Sequence, residues 1–150
     1  MNTPLTPVHL YQIAYSAATL HAVEPGYDVL NNLSNVRPDW YEIWPIRRFL
    51  QQFTLDDTAW YGFFSPKFGG KTGLSHAQVQ AFVRASEAQA DVVLFSPQPD
   101  MGAFFLNVFE QGETFDTGFI DAADRFLQAT GMPGSVRGLV MDSRQIVFSN

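Results

Sequence analysis

The residues best suited to hold a ligand in this sequence are Ser65, Lys67, Ser96, Asp100 and Arg47. Two short apolar runs, Trp60-Tyr61-Gly62-Phe63-Phe64 and Val92-Val93-Leu94-Phe95, close in the same way, as Phe64-Ser65-Pro66 and Phe95-Ser96-Pro97. If both runs are parallel strands, Ser65, Lys67, Ser96, Gln98 and Asp100 gather at the carboxyl edge of a sheet, where open α/β folds bind ligands. Serine hydroxyls beside a lysine ammonium suit a phosphate or sugar hydroxyls. Asp100 can accept hydrogen bonds from a sugar or take a divalent cation. The plainer alternative is strong, because Ser-Pro is ordinary turn chemistry and Asp100 is a natural helix cap. Arg47 and Arg48 stand off the apolar stripe of their helix. Paired arginines recognise phosphates well, although solvated helix arginines are commoner.

Other motifs carry less. Gly70-Lys71-Thr72 looks like the end of a P-loop, but that pattern needs glycine where Ser65 stands. Pro66 also removes one of the amides that such a cradle uses, so the segment reads as a flexible glycine loop. Trp40, Tyr41 and Trp44 can stack on a sugar ring or a base, or simply cover the core. Asp56-Asp57 reads as the cap of the turn before the Trp60 run. Glu110 and Glu113 fall near a helix end, where the dipole disfavours them, which hints weakly at a role. His9, His21 and His76 are scattered, without metal-ligand or triad spacing.

Positioning these residues requires a folded domain, and the composition supplies one. Of the 150 residues 46% are apolar and only 16% charged, enough to bury a core and too apolar for a disordered chain. A net charge of −6 argues against general nucleic-acid affinity. With no cysteine there is neither a disulfide framework nor a thiolate metal site. The opening Met-Asn-Thr-Pro-Leu-Thr-Pro lacks the basic and apolar regions of a signal peptide. No apolar run approaches the roughly 18 residues of a membrane span. These features predict a cytoplasmic protein.

The pattern predicts one α/β domain over residues 1–150, with three layers: a mostly parallel sheet and helices on both faces. Val8 to Tyr15 reads as a strand with Tyr11, Ile13 and Tyr15 on one side. Ser16 caps a short helix over Ala17 to Val23, and Tyr27 to Pro38 reads as an ordered loop. Ile46, Phe49, Leu50 and Phe53 mark the buried face of a helix with Pro45 in its first turn. Gly69, Gly70 and Gly73 form a loose connection. Ser75 and Gln78 make a capping box for a helix burying Val79, Phe82, Val83 and Ser86 on one side. Asp100 would cap a helix carrying Met101, Phe104, Phe105 and Val108 and ending at Gly112. Asp116 or Thr117 would cap the next, with Phe119, Ile120, Ala123, Phe126 and Leu127 on its face and Gly131 at its stop. Leu139 to Met141 and Ile146 to Phe148 read as short strands. An apolar strand with nothing after it suggests a truncated chain or an edge completed by a partner, such as a second copy in a homo-oligomer.

From Arg37 to Gly112 the chain carries Arg-Pro-Asp-Trp-Tyr-Glu-Ile-Trp-Pro-Ile-Arg-Arg-Phe-Leu, Tyr-Gly-Phe-Phe-Ser-Pro-Lys-Phe, Lys-Thr-Gly-Leu-Ser, Ala-Asp-Val-Val-Leu-Phe-Ser-Pro and Asn-Val-Phe-Glu-Gln-Gly. This order resembles bacterial glycosyltransferase-like proteins of polysaccharide biosynthesis. The resemblance implies a nucleotide-diphospho-sugar transferase (GT-A-like) fold and transfer of a sugar from a nucleotide sugar. It also implies Lys67 or Arg47 opposite the diphosphate and Asp100 on the sugar or a divalent metal. Such enzymes usually carry an Asp-x-Asp metal motif and run longer, and this sequence has no such motif. A non-catalytic carbohydrate- or nucleotide-binding module, or a protein-interaction domain, is the alternative.

Overall fold

The computed structural model describes residues 6–95 and 103–142. The chain divides after Val93 into two compact units, and the described elements make a mixed α/β protein with a small parallel sheet.

In the first unit β1 (Val8–Ala14) lies between β2 (Asp28–Asn31) and β3 (Trp60–Phe64) and runs parallel to both. Side chains alternate across a strand, so β1 presents His9, Tyr11 and Ile13 to one face and Leu10, Gln12 and Ala14 to the other. The register sets Tyr61 beside His9, Phe63 beside Tyr11 and Leu30 beside Ile13. On this face Phe49, from α2 (Ile43–Gln52), completes a core with Ile13 and Leu30.

The opposite side of β1 holds Leu10, Gln12 and Ala14, all buried. Phe64 packs against Phe68 of α3 (Phe68–Thr72) at 4.6 Å and against Tyr27 at 5.3 Å. Val79 and Val83 are the buried residues of α4 (His76–Ser86), which contacts β1. Gln12, although polar, is satisfied: its Oε1 accepts the Glu24 N–H at 2.8 Å and its amide donates to the Ser65 carbonyl at 3.4 Å. Glu24 in turn accepts the His76 N–H at 2.9 Å, at the start of α4. The Tyr27 and His76 rings meet edge-on at 4.8 Å. Gly26 makes that approach feasible: its φ is +105°, and a Cβ there would lie 2.5 Å from His76 Nδ1.

Helix starts follow local chemistry. Ser16 and Thr19 cap each other reciprocally at the head of α1 (Ala17–His21), and the Ser75–Gln78 box opens α4. In the second unit Asn107 Oδ1 accepts the N–H groups of Phe109 and Glu110 and starts α5 (Val108–Phe115). Gly118 caps α6 (Phe119–Thr130), which Gly131 ends in the left-handed conformation. Asp124 accepts the Val136 N–H and the Ser135 hydroxyl, fixing α7 (Val136–Asp142) to α6.

Several expectations are corrected. Val92 to Phe95 forms no strand, so the expected Trp60–Val92 strand pair is absent. Val92 and Leu94 are 70% and 64% exposed; a four-residue apolar run becomes a strand only where a neighbour offers a ladder. The parallel neighbour of β1 comes instead from the supposed loop, where β2 buries Leu30 alone and so leaves little trace in the pattern. Gly69 and Gly70 lie inside α3, which buried Phe68 anchors and Gly73 ends at φ +69°. Phe82 is exposed while Val79 and Val83 are buried, and Leu50 and Phe53 are exposed beside buried Phe49. The helix expected to end at Gly112 is capped by Asn107, the expected cap Asp100 lying outside the described residues, and Gly112 lies within α5, where a Cβ would come 2.9 Å from the Phe119 ring. Leu139 to Met141 is helical, not extended. Residues 145–150, with the expected terminal strand, lie outside the described residues. No described helix is long and apolar enough to cross a membrane.

Replacing Gly26 with alanine strains the left-handed backbone and drives a methyl into the His76 ring. Denaturant unfolding should show a loss of about 1–3 kcal/mol. Tyr27 supplies a pH test. Burial, reinforced by the Glu24 carboxylate, pushes its phenol up to about 12. Because the folded value lies above the unfolded one, this contribution is complete below about pH 10 and is lost as the pH rises toward 12. Chemical denaturation across that window should show stability falling, and Tyr27→Phe should flatten the fall.

Candidate functional site

α2 covers its face of the sheet unevenly. Phe49 sits over the middle, 4.8 Å from the Tyr11 ring, 5.3 Å from Phe63 and 6.3 Å from Tyr61. Where α2 ends and the chain turns back toward β3, the cover is thinner. A cavity of about 430 Å³ remains there, lined by His9, Tyr11, Arg48, Gln52, Phe53, Thr54 and Tyr61 among others. Its size falls within the roughly 300–1,000 Å³ of small-molecule sites. β2 begins opposite Tyr11, so its ladder stops short of His9 and that end of the cavity has no strand edge beside it.

The cleft has two kinds of wall. One is aromatic: the His9 and Tyr61 rings stack at 5.1 Å, and Phe49 meets Phe53 at 4.8 Å. The other is polar. Arg48 and Gln52 stand one helical turn apart, beside the Phe49–Phe53 pair at the same spacing, so α2 offers a charged rail and an apolar rail side by side. Arg48, Gln52 and Thr54 make no side-chain hydrogen bond or ion pair among the described residues. Their donors are free for a ligand.

The remaining groups hold the cleft in shape. The Tyr61 hydroxyl accepts the Asp56 N–H at 3.0 Å. Asp56 Oδ1 accepts both the N–H and the hydroxyl of Thr58, at 2.8 and 2.7 Å. Those bonds, with a small contribution from His9, hold the Asp56 carboxyl below its usual range. Asp56 thus caps the turn as the sequence predicts. Burial raises the Tyr11 phenol above its ordinary value, followed by the Asp28 carboxylate and Tyr61.

The expected site residues fall elsewhere. Ser65 and Lys67 do sit together just after β3, at the carboxyl end of the sheet. Ser65 is occupied there: its Oγ accepts the Lys67 N–H at 3.2 Å, and its carbonyl accepts from Phe68 and Gln12. Lys67 is exposed. Arg47 faces solvent and does not line the cleft, whereas its neighbour Arg48 does. Ser96, Gln98 and Asp100 lie outside the described residues. Trp40 and Trp44 meet edge-on at 5.8 Å with the Arg37 guanidinium over Trp40 at 4.5 Å, a packed turn in which Arg37 also pairs with Asp39.

Glu113 is engaged within its own unit. Its carboxylate accepts the N–H groups of Ile120 and Gly118 at the head of α6, which lowers its pKa. Among the described residues no three His, Asp or Glu side chains are placed to hold a metal ion.

The sequence held a signal for the cleft. His9 precedes Tyr11 by two, on the same strand face. No family model matches this chain, and no curated protein or solved structure matches it significantly.

Tyr61→Phe keeps the ring stack and deletes the acceptor of the Asp56 amide. Urea unfolding should lose about 0.5–1.5 kcal/mol, and amide exchange at Asp56 should speed up against the parent protein.

Proposed function

We propose that this chain is a glycosyltransferase-like α/β protein whose first unit binds a carbohydrate or nucleotide sugar in the cleft under α2. The observation that carries the binding half is the pairing, in one cavity, of an aromatic wall with the uncommitted donors of Arg48, Gln52 and Thr54. Aromatic faces pack against the apolar face of a sugar or against a base, while a few polar groups fix orientation. A strand order of β2-β1-β3 supports the three-layer reading. Helices on both sides of the sheet, with α2 over the Ile13 face and α4 against β1 on the Gln12 face, support it further.

The transfer half rests on the resemblance of the sequence. It assigns Lys67 or Arg47 to the leaving diphosphate, whose stabilisation would supply much of the rate, and Asp100 to the sugar or a divalent cation. The non-catalytic reading is favoured by one observation: among the described residues the cleft lining contains no carboxylate, so no Asp or Glu general base stands there. Zero cysteines suit a cytoplasmic setting.

A thermal-shift screen with neutral sugars, acidic sugars, nucleoside diphosphates and nucleotide sugars tests binding. A ligand at about 100 times its Kd should stabilise the fold by about 2.7 kcal/mol. If no member raises the melting temperature, both halves fall. Product formation from a bound nucleotide sugar with Mn²⁺ present, lost in Asp100→Asn, would establish transfer; binding without turnover would leave the module.

A further inference from the structure

We infer that the α2 cleft selects a ring that bears a carboxylate, with the Arg48 guanidinium gripping the carboxylate and the ring lying on the aromatic wall. This rests on reading the cleft as the ligand site. The chain carries fifteen acidic residues against nine basic ones, yet among the described residues the cleft is lined by a guanidinium and an imidazole and by no carboxylate. Two acids act on lining residues without lining the cleft themselves: Asp56, bonded by Thr58, on His9, and Asp28, from the edge strand, on Tyr11. The Arg48 guanidinium is the permanent charge of the described lining, and it complements an anion.

The geometry also discriminates among anions. A phosphate site gathers several cations or a run of backbone N–H groups. Here one arginine serves, and the part of α2's first turn that reaches the cleft is Pro45, which has no N–H. A single guanidinium fork matches a planar carboxylate through two parallel hydrogen bonds. One helical turn on, Gln52 can bond ring hydroxyls, with Thr54 beyond it. Tyr61 and Phe53 supply the surface for the ring. A ring-borne carboxylate could belong to an acidic sugar or to an aryl acid, and the two share this recognition.

Calorimetry on the full chain with glucuronate, glucose and benzoate decides it. Glucuronate or benzoate should bind, with glucuronate at least tenfold tighter than glucose if the source is a sugar. Arg48→Gln should remove about 10- to 100-fold of the carboxylate affinity, while Arg125→Gln, at an exposed position of α6, should keep it. Arg48→Lys retains the charge without the fork and should lose most of the same affinity. It provides the answer should Arg48→Gln fail to fold. Equal binding of glucose and glucuronate, or binding indifferent to both Arg48 variants, would overturn the inference while leaving a carbohydrate module standing. Binding of nucleotide sugars alone would sink the inference and spare the proposed function. Silence from every ligand in both panels would remove both.

Discussion

A strand buried on both faces must satisfy whatever polar groups it carries, and β1 carries Gln12. Its side-chain amide is bonded on both ends, to the Glu24 N–H on one side and the Ser65 carbonyl on the other. Leaving either group unpaired in the interior costs far more than the net gain of the bond itself. The loop after α1 and the turn after β3 are therefore held at fixed places relative to the central strand. From the first of these anchors Glu24 reaches the head of α4, and Gly26 lets the chain pass against the His76 ring. From the second, Phe68 is set against Phe64 and starts α3. One buried amide thus determines how the polar connections seat over an otherwise apolar face.

The same clamp accounts for why the expected carboxyl-edge site is occupied by the protein itself. Ser65 lies where a ligand-binding serine would lie, but its carbonyl closes the Gln12 bond and its hydroxyl closes the turn at Lys67. On the opposite face the polar cross-link is the bond from the Asp56 N–H to the Tyr61 hydroxyl, beside the cleft and not across the middle of β1. There Phe49 alone fills the centre, its ring contacts run from Tyr11 to Phe63, and the space beyond it, toward Phe53 and Thr54, stays open. The cleft is a consequence of covering a sheet face with one ten-residue helix whose apolar stripe continues into a loop.

What the sequence makes legible divides along physical lines. Capping boxes, the β1 and β3 patterns and the glycine stop at Gly131 are local, and the pairs Ser16–Thr19 and Ser75–Gln78 form as residue chemistry requires. β2 is not legible, because an edge strand with one buried residue has no alternation to display. Val92 to Phe95 misleads for the converse reason: apolar content is present, but pairing is a property of a neighbour and not of the run. At the site, the neighbours Arg47 and Arg48 cannot be ranked from sequence. They differ by about 100° around the helix, and only the position of the sheet decides which of them meets the cleft.

The placement of Arg48 says more about function than any motif in the chain. A guanidinium is costly to desolvate without a counter-charge, and on a protein with surplus acid a nearby carboxylate would be the cheap solution. Instead the adjoining acid, Asp56, is turned into its own loop by Thr58, and Arg48 remains half-buried beside aromatic rings without an internal partner among the described residues. The arrangement makes physical sense when the missing counter-charge arrives from outside, on a ligand flat enough to share the space with Tyr61 and Phe53.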